Sequence, residues 1–273
     1  DEDIDTVFAP ELDGLDRDEI RRWYNGYGWL GERVYNPFDV LLLFQERLFR
    51  AWWFETGTPT FLVELLTKRH TFTPKLDALV ADDQLLGAFD VEHIATEAIL
   101  WQTGYLTIVA EERLGRLSRY RLGYPNLEVE SALNNALLTC LLPEAQQAVE
   151  LSLPLYRLLV ALDFDGLKAH FESLYASIPA DWYRNNPITQ YEGYWASVFY
   201  SHIASLGLDL TPEDVTNQGR IDLTLKLDAA IVVIEFKRVA GEEPTGEAIA
   251  QLKARGYADK YRADGRPVYL LGV

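Results

Sequence analysis

Residues 219–237 read GRIDLTLKLDAAIVVIEFK, and this stretch decides the fold of the C-terminal part of the chain. From Gln218 to Leu227 the pattern alternates: Ile221, Leu223, Leu225 and Leu227 face one way, Asp222 and Thr224 the other. Ala229 to Lys237 is a near-continuous apolar run, as expected for a central strand covered on both faces. Only a short turn at Asp228 lies between, so a hairpin can bring Asp222 close to Glu235. Glu235 and Lys237 are two residues apart and project from one face. Two carboxylates and an ammonium then converge at one point on a sheet.

That grouping has a chemistry. Paired carboxylates suit a hard divalent cation such as Mg²⁺, with Mn²⁺ as a substitute, because such ions take oxygen ligands and keep several waters. A lysine beside them can orient a water or stabilise charge developing on a phosphoryl group. The alternative is a structural Glu–Lys pair at a strand end, since E-x-K by itself is a weak motif.

Working outward, Tyr191 to Leu206 is expected to be a helix, with Trp195, Val198, Phe199, His202 and Ile203 on one apolar stripe and Glu192 near its start. His202 reads as a core or interface histidine. After the strand pair, Glu247 to Tyr261 is the next expected helix, bearing Gln251, with Tyr257 as a packing residue. Pro267 to Val273 is a third strand, so the order is helix, strand, strand, helix, strand. Lys253, Arg255, Lys260, Arg262 and Arg266, with Arg238, form either a basic rim for phosphate contact or a solvated helix face with i,i+4 pairs.

Upstream, Leu15 to Tyr24 reads as a short helix capped by Asp16, and residues 25–37 (NGYGWLGERVYNP) as a turn-rich loop. Helices are expected from Pro37 to about Phe49, from Pro59 to Lys68 and from His93 to Leu100. Residues 103–126 then change period and signal a hairpin. Helix plus hairpin is winged-helix-like, with Arg113, Arg116, Arg119 and Arg121 in the hairpin; a small α+β packing unit with no DNA contact is the other reading. Asn126 to Tyr175 is helical throughout, with Pro143 and Pro154 expected at two helix starts, and residues 177–187 (SIPADWYRNNP) read as a domain break.

Composition limits the possibilities. The net charge of −17 argues against a simple nucleic-acid binder, but the acidity is uneven: residues 180–273 carry a net −3 and the first 179 a net −14. A single cysteine, Cys140, excludes an intramolecular disulfide and fits a reducing cytoplasm. No apolar run is long enough to cross a bilayer, and the first residues given, DEDIDTVFAP, lack the basic and apolar regions of a signal peptide. The lack of any methionine and the strand-like end VYLLGV suggest a piece of a longer protein.

The segments YEGYWASVFYSHIASLGLDL, GRIDLTL, VVIEFK and AIAQLKARGYADKY resemble, in this order, the PD-(D/E)XK nuclease superfamily. They are especially similar to the nuclease-like C-terminal domain of bacterial and archaeal AAA-ATPase-like proteins. RRWYNGYGWLGERVYNPFDVL and YRLGYPNLEVESALNNALL resemble the region those proteins place before the nuclease. The resemblance implies an α+β chain: residues 1–126 a mainly helical region with the winged-helix-like hairpin, 127–180 a helical linker, and 181–273 a restriction-endonuclease-like domain with a central mixed sheet flanked by helices. It implies Asp222 and Glu235 as metal-binding acids supported by Glu192, Lys237 as the catalytic partner of Glu235, and Gln251 as a polar residue of the site. Ile221 stands where the motif has proline. The implied function is Mg²⁺-dependent phosphodiester hydrolysis, with DNA before RNA as substrate; the alternative is a non-catalytic regulatory or binding module. An ATPase core would lie upstream, because no G-x-x-x-x-G-K-[ST] loop occurs here. No membrane partner is expected, and a homo-oligomer is compatible.

Overall fold

The computed structural model describes residues 2–55, 60–69, 71, 73–87, 94–115, 117–142, 145–178, 193–237 and 246–273. They form two compact units, one of residues 1–71 and 76–137, the other of residues 72–75 and 138–273.

In the first unit, α1 (Glu2–Thr6) and α2 (Arg17–Tyr24) precede a pair of short antiparallel strands, β1 (Asn25–Tyr27) and β2 (Val34–Tyr35). Asp16 caps α2 as expected, its carboxylate accepting from the amides of Asp18 and Glu19 at 2.8 and 3.2 Å. The β1–β2 pair lies in the stretch expected to be only loop. Gly26 explains the tight geometry: at φ +135° it sits so close to Pro125 that a Cβ would lie 1.6 Å from the proline carbonyl oxygen. The two upstream motifs, around Tyr24–Tyr27 and Tyr124–Glu128, therefore meet.

The helix α3 (Pro37–Glu46) starts on the Asn36 cap and stops where Arg47 turns left-handed, short of Phe49. It is followed by α4 (Trp52–Glu55), α5 (Thr60–Lys68), β3 (Leu79–Asp82), α6 (Asp83–Leu86) and α7 (Thr96–Gln102). The expected hairpin is present as β4 (Thr107–Leu114) and β5 (Leu117–Gly123). It is not a lone wing, because β3 adds to β5 and makes a three-stranded antiparallel sheet.

Three long helices follow: α8 (Leu127–Leu141), α9 (Ala145–Ala161) and α10 (Phe164–Ser177). Pro154 lies inside α9 and not at a helix start, while Pro143 is outside the described residues. The break expected at 177–187 falls mostly on residues 179–192, also outside the described set.

In the second unit, α11 (Gly193–Ala204) leads into β6 (Asp209–Thr216), β7 (Gly219–Lys226) and β8 (Ile231–Glu235). The helix α12 (Glu247–Arg255) then connects to β9 (Val268–Gly272). The sheet order is β6-β7-β8-β9, antiparallel up to β8 and parallel between β8 and β9, so the sheet is mixed. β6 is a strand the sequence pattern did not reveal: Pro212 interrupts it, which only an edge strand tolerates. The helix expected to run to Tyr261 ends at Gly256, whose left-handed backbone caps α12 before a 3-10 turn from Tyr257 to Tyr261.

Burial accounts for the strand assignments. One face of the sheet, with Leu223, Leu225, Val232 and Ile234, shares a core with Leu155 and Leu159 of α9, Phe171 of α10 and Val198, Phe199 and Ile203 of α11. The other face, with Ile231 and Val233, is covered by Leu252, Tyr257 and Tyr261. Each fully buried aliphatic side chain contributes on the order of 1.5–3 kcal/mol, which holds β8 in place between two layers. No helix among the described residues is long and apolar enough to cross a membrane.

Candidate active site

β7 and β8 pair with Leu223 opposite Ile234, and one step further along the hairpin Asp222 comes beside Glu235. The backbone amide of Phe236 donates to Oδ2 of Asp222 at 2.8 Å, tying the end of β8 to that carboxylate. Glu235 is only 2% exposed, although it ends a strand. The side-chain amide of Gln251, on α12, donates to its Oε1. Lys237 holds its ammonium 3.8 Å from the same oxygen and remains partly exposed. Oε2 of Glu235 is buried and has no hydrogen-bond partner among the described residues.

The electrostatics follow from this geometry. Burial raises the Asp222 carboxyl above the usual range, against the Phe236 amide and the Lys237 charge, which lower it. Burial also raises Glu235, and the neighbouring Asp222 charge adds to the rise. A buried carboxylate beside a partly buried one is costly without a compensating charge, and Oε2 of Glu235 is an acceptor with no donor among the described residues.

Of the residues singled out from sequence, Asp222, Glu235, Lys237 and Gln251 are brought together, while Glu192 and Arg238 lie outside the described residues. His202 is buried in the core, and Tyr257 packs against the sheet. Glu213 was not foreseen. The β6–β7 register brackets it opposite Asp222, and its charge adds to the rise in the Asp222 pKa. It pairs with Arg220 at 2.8 Å. Only its place in an unrecognised edge strand could have revealed it. Among the described residues no three or more His, Cys, Asp or Glu side chains are arranged to hold a metal ion.

The expected basic rim is mostly tied down. Lys260 pairs with the buried Asp214, which also accepts from Tyr261 and, at 3.0 Å, from Thr224. Arg262 pairs with Asp259 at 2.7 Å, Arg266 with Asp264 and the Leu227 carbonyl, and Arg255 with the Gln218 carbonyl. These contacts are not the i,i+4 ladder of a solvated helix either; most reach back to the sheet or the next turn.

Residues 190–273 match the family model of the PD-(D/E)XK nuclease superfamily. The mixed sheet with its flanking helices is consistent with a restriction-endonuclease-like fold. The PD-(D/E)XK match covers α11 through β9 and with them Asp222, Glu235, Lys237 and Gln251. A protein of Azotobacter chroococcum mcd 1 whose name reads "Uncharacterized protein in vnfD 5'region" is 60% identical over 271 residues, covering 99% of this chain and 52% of that protein. The chain thus spans about half the length of that relative. No solved structure matches the chain.

Proposed function

We propose that the C-terminal unit is a divalent-metal-dependent phosphodiesterase acting on nucleic acid, DNA before RNA. The observation that carries this reading is the orphaned, buried Oε2 of Glu235 beside Asp222, with Lys237 next to it. The donor set fits a hard cation: two carboxylates suffice for Mg²⁺ or Mn²⁺, which keep waters and take substrate oxygens for the rest. Asp222 and Glu235 would hold the ion, with Glu192 as a further acid. When bound, such an ion supplies Lewis acidity and a water of lowered pKa.

The chain's own residues do the positioning. Gln251 fixes Oε1 of Glu235 and so leaves Oε2 as the free ligand atom. The Phe236 amide holds Oδ2 of Asp222. Lys237 stands beside the site, where it would orient the attacking water or stabilise the charge building on the phosphate. The parent context we propose is an ATPase-like protein, with the ATPase core in the part of the longer relative that this chain does not span.

The test is calorimetry with Mn²⁺ or Mg²⁺ on wild type and Asp222→Asn, alongside cleavage of single- and double-stranded DNA and RNA. Metal binding and metal-dependent cleavage that Asp222→Asn removes support the reading. Absence of binding at about millimolar metal sinks it, since functional sites of this kind bind in or below that range.

A non-catalytic regulatory module is the second reading. The neutralised rim and the net charge of −17 favour it, because phosphate backbones are held by free cations. A winged-helix DNA contact would instead use the exposed Arg119 and Arg121 of β5, and predicts salt-sensitive, metal-independent binding.

A further inference from the structure

The helix α9 buries Ala148, Leu155 and Leu159 against its own unit. A second apolar stripe runs along its outside. Val149 is 68% exposed, Leu153 54%, Tyr156 45% and Val160 54%. Their spacings of four, three and four residues keep all four within about 60° around the helix, the alternation of a coiled-coil seam. At 1.5 Å per residue the stripe is about 16 Å long. Scattered exposed hydrophobics are ordinary on a protein surface; four in seam register on one helix are not.

The charges beside the stripe indicate what covers it. Glu150 and Arg157 are exposed, seven residues apart, and lie on the same flank of the stripe. In an antiparallel helix pair each flank meets its own copy, so Glu150 of one chain comes next to Arg157 of the other, and the contact repeats by symmetry. The apolar residues match in the same register: Val149 meets Val160, and Leu153 meets Tyr156. In a parallel pair Glu150 and Arg157 would instead face the opposite flank, which holds Ser152 and the buried Leu159. The surface is self-complementary under a two-fold axis, as an isologous dimer interface must be.

We infer that the outer face of α9 is the seam of a two-fold homodimer of this chain, with two α9 helices packed antiparallel. The seam is short against the roughly 800 Å² per partner of a standard interface, so the dimer is weak and concentration-dependent.

The experiment is sedimentation velocity on the whole chain over roughly 1–500 μM, a range that spans weak self-association. Wild type should shift from monomer to dimer across it, and Leu153→Asp should stay monomeric. Glu150→Arg and Arg157→Glu, each placing like charges at both symmetric contacts, should weaken the dimer roughly three- to tenfold. The double swap, Glu150→Arg with Arg157→Glu, should restore it. All three positions are exposed, and circular dichroism checks that each variant is folded. A monomeric wild type overturns the inference, as does a dimer indifferent to Leu153→Asp. A dimer that the double swap does not restore overturns the antiparallel pairing.

Discussion

Gln251 donates to Oε1 of Glu235 from across the sheet–helix layer, and the other oxygen of that carboxylate is left buried without a partner among the described residues. The relationship joins α12 to β8 and sets which way the carboxylate points. A carboxylate held by one amide has lost the rotamer freedom that a ligand would otherwise have to remove.

If that contact orients Glu235 for a cation, Gln251→Ala should weaken Mn²⁺ binding by about 10-fold, the usual size of an outer-shell effect. Gln251→Glu should be worse for the metal-free fold, because it sets a third carboxylate against Glu235. Calorimetry reads the first and thermal melting the second. Unchanged affinity in Gln251→Ala would mean that packing alone orients Glu235.

On the proposed function, Lys237 should separate metal binding from chemistry. Its ammonium is near Glu235 but cannot ligate a cation. Lys237→Ala should therefore keep metal binding while metal-dependent cleavage falls about 10²–10³-fold, the cost of losing one charge that stabilises a transition state. Loss of metal binding along with cleavage would assign Lys237 to the structure of the site instead.

Asp39 and Glu128, both 0% exposed, lie near enough inside the first unit for each carboxyl to bear on the other. Oε1 of Glu128 accepts from the Trp53 amide at 2.7 Å, while Oε2 and both oxygens of Asp39 lack a donor among the described residues. Burial raises both groups, and for Glu128 the Asp39 carboxyl adds to it. The folded state thus binds more protons than the unfolded chain, whose carboxyls titrate near 4. Stability should be full below about pH 4 on this account and fall as pH rises above it. Glu128→Gln keeps an acceptor for Trp53 and gives Asp39 a permanent donor, so its melting temperature should decline less between pH 6 and 9 than that of wild type. Equal slopes would contradict a shared proton.

His170 and His202 set the opposite dependence in the second unit. Their Nε2 atoms are 3.1 Å apart with the rings nearly parallel, so one must donate and the other accept. Burial lowers both, His202 to about 3 with His170 adding to the shift. The unfolded chain takes up protons below about pH 6.5 while the folded pair does not, so stability is full above that pH and falls as the pH drops toward the folded value. His202 contributes about 1.4 kcal/mol per pH unit in that window. Melting curves between pH 7 and 4 should be flatter for His202→Phe than for wild type. A parallel decline would place the acid sensitivity elsewhere.

By itself the sequence determined the β7–β8 hairpin and the grouping of Asp222, Glu235 and Lys237 on it. Strand period, an apolar run and a short turn are local properties, and they bring Asp222 within reach of Glu235 without any distant contact. The cap at Asp16 and the β4–β5 hairpin were legible for the same reason. Tertiary structure alone decided the rest. β6 is a strand because β7 offers an edge to pair with, against the proline in its own pattern, and that pairing puts Glu213 opposite Asp222. The parallel β8–β9 contact depends on where α12 returns the chain. That same return delivers Gln251 to Glu235 and diverts Lys260 and Arg266 from an open rim into ion pairs. Asp39 with Glu128, and His170 with His202, are separated by long stretches of chain, so no periodicity records them; they meet only because the cores around them close.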